Sequence, residues 1–250
     1  MFARIVALSL LAGLLAGAVT TPVQLALVQP LIEQAEGYEQ QLEAAAPATA
    51  HVHEAHAHEA HAHDADAAEG HSHAAMASEE PSDDKTHRAV ATAISITLAA
   101  MGYALLLGAA LSQLGHIDWR RGLLFGALGF VVFQLAPALG LPPEPPGVPA
   151  ADLQQRQLWW LLTVACTSGA LFGLYRAWTK RRALWAVGAL ALAALPHVVG
   201  APVLSEVHTL VPERLMSDFM LAALATAAVL WLALGGALGG LLQRYPVAQR

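Results

Sequence analysis

Histidines dominate one short stretch of the chain, residues 51–73, which reads HVHEAHAHEAHAHDADAAEGHSH. Its core is a five-residue repeat in which two histidines, at positions i and i+2, are followed by a carboxylate. In an extended chain, residues two apart point to the same side, so each histidine pair can chelate one ion. Imidazole suits cobalt, nickel, copper and zinc, whereas magnesium and calcium prefer all-oxygen ligands. The segment is therefore predicted to capture a divalent transition metal through His51, His53, His56, His58, His61, His63, His71 and His73.

The same stretch is also compatible with a low-complexity tract that arose by repeat expansion and binds metal only incidentally. The segment does not specify which metal it would take, because affinity along the first transition row favours copper at any such site. Without a fixed geometry, it is not expected to form a catalytic centre either.

The rest of the chain is strongly apolar. Only 13% of the 250 residues are charged, about half of the roughly 25% that is usual in soluble domains. Apolar runs of this length are typical of helices that cross a hydrocarbon core of about 30 Å at 1.5 Å per residue. We predict an all-α integral membrane protein, a polytopic bundle of six transmembrane helices, or of five if the short fifth run or the first is not a span. The predicted helices cover 5–28, 89–111, 122–141, 158–175, 183–199 and 219–242.

One long polar segment, residues 36–88, interrupts this single membrane domain. Its Ala, Glu, Asp and His content offers little apolar surface to bury, so we predict a disordered loop. Lysine and arginine are enriched in cytoplasmic loops of membrane proteins. With both termini in the cytoplasm, nine of the thirteen basic residues face that side, and the histidine-rich loop lies outside. A cleaved signal peptide is the alternative for the first apolar run, and an uncleaved first helix is favoured because apolar residues continue past position 20.

Glycines four residues apart recur in the apolar runs. Small residues at this spacing share one helix face and allow two backbones to approach closely. The chain is therefore predicted to form a compact bundle with helix contacts at Gly13/Gly17, Gly122/Gly126, Gly169/Gly173, Gly235/Gly239 and Gly236/Gly240.

A few polar residues in or near the apolar runs are candidates for a metal path, because such residues are costly in a bilayer. Glu33, Gln134, His197 and His208 are the candidates, all predicted near the outer ends of the helices. For Gln134 and for Gln24, hydrogen bonding between helices is favoured over a ligand role.

Several functions find no support in the sequence. There is no G-x-x-x-x-G-K-[ST] phosphate loop and no recognisable set of nucleophile, base and oxyanion donors, so we predict a protein that is not an enzyme and carries no cofactor. Without a basic domain, no nucleic-acid partner is expected. The single cysteine, Cys166, excludes an intramolecular disulfide.

Five segments give the chain a resemblance to a known family. They are MFARIVALSLLAGLLAG at the start, PLIEQAEGYE at Pro30–Glu39, FQLAPALGLPPEPPG at Phe133–Gly147, WWLLTVACTSGALFGL at Trp159–Leu174 and LPHVVGAP at Leu195–Pro202. The chain resembles the CbtA family, proposed cobalt transporter subunits of bacterial inner membranes. The resemblance implies about five helices, a location in the cytoplasmic membrane in contact with lipid, and a small single-span, histidine-containing partner subunit.

The leading hypothesis is a transporter or channel subunit for uptake of divalent cobalt, with the outer histidine loop collecting the metal. Two alternatives stay open. One is a nickel or zinc transporter, and the other is a membrane-anchored metal-binding or regulatory protein that moves nothing.

Overall fold

The computed structural model describes residues 2–45, 81–113, 117–204 and 208–246. All the regular elements in these ranges are helical. They are α1 (Phe2–Leu27), α2 (Gln29–Ala45), α3 (Pro81–Leu111), α4 (Trp119–Phe130), a π-helix (Val131–Leu135), α5 (Ala136–Ala138), α6 (Leu153–Lys180), α7 (Ala183–Val199) and α8 (Glu213–Arg244).

Five helices in the described ranges are long and apolar enough to cross a membrane. They are α1, α3 from Lys85 onwards, the continuous helix Trp119–Ala138, α6 and α8. The fifth apolar run of the sequence forms α7, whose 17 residues rise about 25 Å. This length falls short of a hydrocarbon core of about 30 Å. The described residues therefore contain five full-length spans, which is the lower of the two predicted helix counts.

The prediction of disorder across 36–88 is wrong at both ends, because 36–45 belong to α2 and 81–88 to α3. The cause is a tertiary contact. Ala35 and Tyr38 on one face of α2 pack with Leu215 in a small apolar cluster, and this burial supplies what the local composition lacks. Residues 46–80, with all eight histidines of the 51–73 segment, lie outside the described residues.

The bundle has two ends of different character. The "loop end" is the end from which residues 46–80 depart, between α2 and α3. An ion pair joins these helices there, with Arg88 Nη1 donating to both carboxylate oxygens of Glu36 at 2.9 and 2.8 Å. The opposite "basic end" carries Arg4, Arg120, Arg121, Arg176, Lys180, Arg181, Arg182 and Arg244.

Helices α1, α3 and α8 form the central core. Their contact is lined by small or medium apolar side chains, and Ala12, Ala104 and Leu234 are fully buried there. Helix α4 packs along α8, whereas α6 and α7 form a peripheral hairpin that meets the bundle mainly through the π-helix and α5. Because α1 lies in the core, the first apolar run is an integral part of the fold.

The predicted helix contacts at Gly122/Gly126 and Gly235/Gly239 are confirmed, and the two pairs meet each other between α4 and α8. A Cβ at Gly122 would overlap the carbonyl oxygen of Gly235, and one at Gly239 would lie 2.8 Å from the Cα of Gly122. A Cβ at Gly126 would overlap the carbonyl oxygen of Trp231. Only glycine permits this approach of two backbones.

The residues of the other predicted glycine pairs, with one exception, lie against a neighbouring helix. A Cβ at Gly17 would lie 2.9 Å from the Cα of Thr97 in α3, and one at Gly173 would lie 3.0 Å from the Cβ of Ala189 in α7, so both glycines face a neighbouring helix as predicted. Gly240, by contrast, faces open space. Gly236 does face a neighbour, since a Cβ there would lie 3.3 Å from Cδ2 of Leu123 in α4. The expected contact therefore holds at Gly236 and is wrong at Gly240.

Candidate functional site

The described residues form an open cavity of about 580 Å³ in the loop-end half of the bundle, with both polar and apolar side chains on its walls. Its walls are α1, α3, the π-helix and α8, and its rim includes residues 143–144 and the start of α6. We call it the loop-end cavity. The polar side chains that line it are Thr20, Gln24, Tyr103, Gln134, Glu144, Arg156 and Thr226.

The π-helix explains how Gln134 comes to face this cavity. Over Val131–Leu135 the turn widens, and the Ala136 N–H donates to the Val131 carbonyl five residues earlier. Pro137 has no N–H to donate to the Phe133 carbonyl four residues before it. The indole Nε1 of Trp160 donates to that carbonyl instead, at 3.4 Å. Such single π-turns inside α-helices are frequent at functional sites.

The two amides near the middle of the cavity do not fulfil the predicted structural role. Neither Gln24 nor Gln134 hydrogen-bonds another helix within the described part of the chain, and both line the cavity. The expectation of bonding between helices is therefore wrong. Because the cavity holds both side chains on its surface, their carbonyl oxygens and N–H groups are free to meet a solute.

Two threonines on the cavity wall differ in whether the hydroxyl group has a hydrogen-bond partner. Thr20 Oγ1 donates to the Ala16 carbonyl at 2.8 Å, as is usual for a helical threonine. Thr226 is 5% exposed, and its Oγ1 has no hydrogen-bond partner in the described ranges. An unsatisfied buried hydroxyl costs about 1–3 kcal/mol. The position is therefore energetically unfavourable unless a solute in the cavity satisfies it.

Three rings pack together beside the cavity, and we call them the aromatic floor: Tyr103, which lines the cavity, with Phe133 and Trp231. The Tyr103 and Trp231 centroids are 4.8 Å apart, and the Phe133 ring stacks on Trp231 at 5.3 Å. Gly129 makes room for this layer, since a Cβ there would overlap the Trp231 indole. The floor is a packed aromatic layer without a carboxylate or imidazole.

A second cavity of about 460 Å³ lies on the other side of the floor and is lined by Phe133 and Trp231. Its remaining walls are almost wholly apolar, with Ser168 the hydroxyl among them. The aromatic floor thus separates a polar cavity at the loop end from an apolar one nearer the basic end.

Of the four predicted path residues, the structure places only Gln134 in the loop-end cavity. Glu33 is exposed on α2 and accepts a hydrogen bond from Gln29 Nε2 at 3.3 Å. His197 is exposed on peripheral α7, where its ring stands edge-on to Trp159 at 5.9 Å. His208 is exposed in the segment before α8. A path role for the last three stays a prediction, as does metal capture by the histidines of 51–73, which lie outside the described residues.

Sequence reasoning missed most of the polar lining. Thr226 had a visible signal, since it is the only hydroxyl residue in the apolar run 219–242. Glu144 likewise stands alone as a charge in the proline-rich stretch LPPEPPG. Among the described residues, no group of three or more His, Cys, Asp or Glu side chains is close enough to hold a metal ion directly.

Five membrane-length helices around a polar cavity define the chain as a polytopic α-helical membrane protein. A family model described as "Probable cobalt transporter subunit (CbtA)" matches residues 2–243, nearly the whole chain. The chain belongs to the CbtA family, as its sequence segments indicated. No curated protein and no solved structure matches it.

Proposed function

We propose that the chain is the membrane subunit through which divalent cobalt is taken up across the bacterial cytoplasmic membrane. In this proposal the histidines of 51–73 collect the metal and the loop-end cavity receives it. The proposal is carried by the position of α2 and α3, the helices on either side of the histidine segment, next to the loop-end cavity. Ile32 of α2 lines the cavity, and the ion pair Arg88–Glu36 holds together the two helices from which the histidine segment departs.

The distribution of charge supports the direction of transport. Arg120, Lys180 and Arg244 lie at the basic end with five further basic residues, whereas the described loop end carries Lys85, Arg88, Arg156 and Arg214. By the positive-inside rule, the basic end faces the cytoplasm and the loop end faces outwards. The cavity and the histidine segment are then on the side from which cobalt arrives.

The two metal-handling parts have different tasks in this proposal. Tethered imidazoles raise the local metal concentration beside the cavity, by the same effective-concentration effect that operates in linked binding modules. Selection and passage require fixed geometry, which packed helices provide. Deleting residues 51–73 should therefore raise the cobalt concentration needed for uptake without abolishing uptake.

The family description as a subunit supports a partner. We propose a small single-span, histidine-containing protein in this role, with a gradient or the partner assembly driving transport. Co-purification of the complete chain from membranes, followed by identification of bound small proteins, tests the partner.

Uptake of radioactive cobalt at limiting metal tests the function. Cells that lack the gene are compared with cells that carry the full chain, the deletion of 51–73, Thr226→Val or Thr163→Val. Thr163 is the matched control, because it is buried in α6 and its hydroxyl donates to the Trp159 carbonyl, away from the cavity. We expect the gene and Thr226 to be required for full uptake and Thr163→Val to have no effect. Cobalt uptake that is the same with and without the gene would refute the proposal.

A second candidate, a membrane protein that binds metal but moves none, is favoured by the aromatic floor, which lies between the loop-end cavity and the second cavity. Proteoliposomes distinguish the two functions. Vesicles that bind cobalt on the surface but never load it, even with the partner present, would support the second candidate. Competition of nickel or zinc in the same assay distinguishes the substrates.

A further inference from the structure

The lining of the loop-end cavity is chemically different from the histidine segment. Its polar groups are the amides of Gln24 and Gln134, the hydroxyls of Thr20, Thr226 and Tyr103, the carboxylate of Glu144 and the guanidinium of Arg156. First-row divalent metals are bound tightly by imidazole and thiolate, and neither is part of this lining. What the cavity offers is a set of dispersed oxygen atoms that accept hydrogen bonds.

A hydrated divalent cation presents the complementary surface. Its six waters point their oxygen atoms at the metal and their protons outwards, so the outside of the ion is a shell of hydrogen-bond donors. The unpartnered Thr226 hydroxyl, which is 5% exposed, is the strongest single indication of such a ligand. An acceptor in contact with a metal-bound water would gain a charge-assisted hydrogen bond.

The size of the cavity is also appropriate. Six waters at about 30 Å³ each occupy roughly 180 Å³, and the cavity volume is about 580 Å³. A bare ion would be far too small to contact side chains on four helices at once. A hydrated ion can contact several of them, with further water filling the remaining space.

We propose that the loop-end cavity binds the metal as its hydrated ion, through hydrogen bonds from metal-bound water to Gln24, Gln134, Thr226 and Glu144, and without direct metal–protein bonds. This inference rests on the proposed function and specifies the form of the substrate. On leaving the histidine segment, each imidazole nitrogen on the ion is replaced by one water molecule. The ion keeps its charge of 2+, and no electron is transferred.

The charges of the cavity lining are suited to a metal ion that binds and is then released. Glu144 contributes one negative charge and Arg156 one positive charge, so the cavity attracts a divalent ion only weakly. A transport site must bind well enough to be occupied and weakly enough to release. Replacing Arg156 with glutamine removes the opposing charge, and we expect tighter binding and slower release.

The proposal is tested with hexaamminecobalt(III), whose ammonia ligands exchange too slowly to be displaced by protein groups. Its six ammonias present outward N–H donors in the same octahedral arrangement as the waters of a hydrated ion. Binding is measured by equilibrium dialysis on the purified full-length chain in detergent and on the variant lacking 51–73. Thr226→Val and Gln134→Leu are the test variants and Thr163→Val is the control, with folding of each verified by size-exclusion chromatography and circular dichroism.

We expect saturable binding that survives deletion of 51–73 and weakens about tenfold in each test variant, the equivalent of about one hydrogen bond. The control variant should bind normally. Absence of saturable binding, or equal binding by the control and both test variants, would overturn the proposal. So would an intense visible band of four-coordinate cobalt(II) in the deletion variant that is lost in Thr226→Val. These results are independent of cellular uptake, which alone decides whether the proposed function fails.

Discussion

At the scale of single residues, Thr226 is placed where stability and function have opposite requirements. Its buried hydroxyl has no partner in the described structure, which lowers stability. The residue nevertheless lies on the wall of the loop-end cavity, beside amides, hydroxyls and charged groups. Valine has nearly the same shape and would remove the unsatisfied group.

We expect Thr226→Val to raise the thermal unfolding temperature in detergent, because the unsatisfied hydroxyl costs about 1 kcal/mol or more, and to lower cobalt uptake in the same preparation. Thr163→Val removes a hydroxyl that is already hydrogen-bonded to the Trp159 carbonyl at 2.9 Å, so its unfolding temperature should not rise. A shift of the unfolding temperature in the same direction in both variants would show that the hydroxyl of Thr226 is satisfied in the folded protein.

At the scale of elements, the contact between α4 and α8 sets the shape of the bundle. Gly122 and Gly235 allow backbone-to-backbone contact, whereas Gly240, one turn further along α8, faces open space. The same substitution should therefore have different effects at Gly122 and at Gly240.

We expect Gly122→Ala to destabilise the protein by about 2 kcal/mol or more, since the added methyl group forces two helices apart and overpacking typically costs about 1–3 kcal/mol. Gly240→Ala should be neutral or stabilising by up to about 1 kcal/mol, from helix propensity alone. Unfolding by denaturing detergent, followed by tryptophan fluorescence, measures both. Equal destabilisation by the two variants would contradict the observed packing.

At the scale of the whole molecule, the asymmetry between the two ends predicts orientation. Ala150 is exposed at the loop end and Lys180 at the basic end, while the native Cys166 is buried. In intact cells, a membrane-impermeant thiol reagent should label Ala150→Cys and not Lys180→Cys, and the unchanged chain should give little background. The reverse pattern would place the histidine segment in the cytoplasm and invert the proposed direction of uptake.

The histidine segment also predicts a pH dependence for the whole transporter. Imidazole in model peptides has a pKa of about 6.5, and only its neutral form binds metal. As the pH falls through this value, the cobalt concentration that gives half-maximal uptake should rise towards that of the variant lacking 51–73. That variant serves as the control, because it should lack this component. An identical pH profile in both chains would show that the histidines do not supply metal to the cavity.

The sequence alone determined the membrane spans and much of the helix packing. In a bilayer, backbone groups must be satisfied within each segment, so an apolar run of sufficient length has few alternatives to a helix. The sequence predicts that Gly122/Gly126 and Gly235/Gly239 lie at helix contacts. It does not predict that these two pairs contact each other.

Only the tertiary structure decided what lies between the helices. Whether Gln24 and Thr226 face lipid, a neighbour or a cavity depends on how each helix is rotated, and the π-turn at Val131–Leu135 changes that rotation within one span. Helix α2 was misjudged because its stability comes from Leu215, a contact between segments far apart in the chain. The spans follow from local hydrophobicity, whereas the cavity follows from contacts between distant residues, which the order of residues in one chain does not reveal.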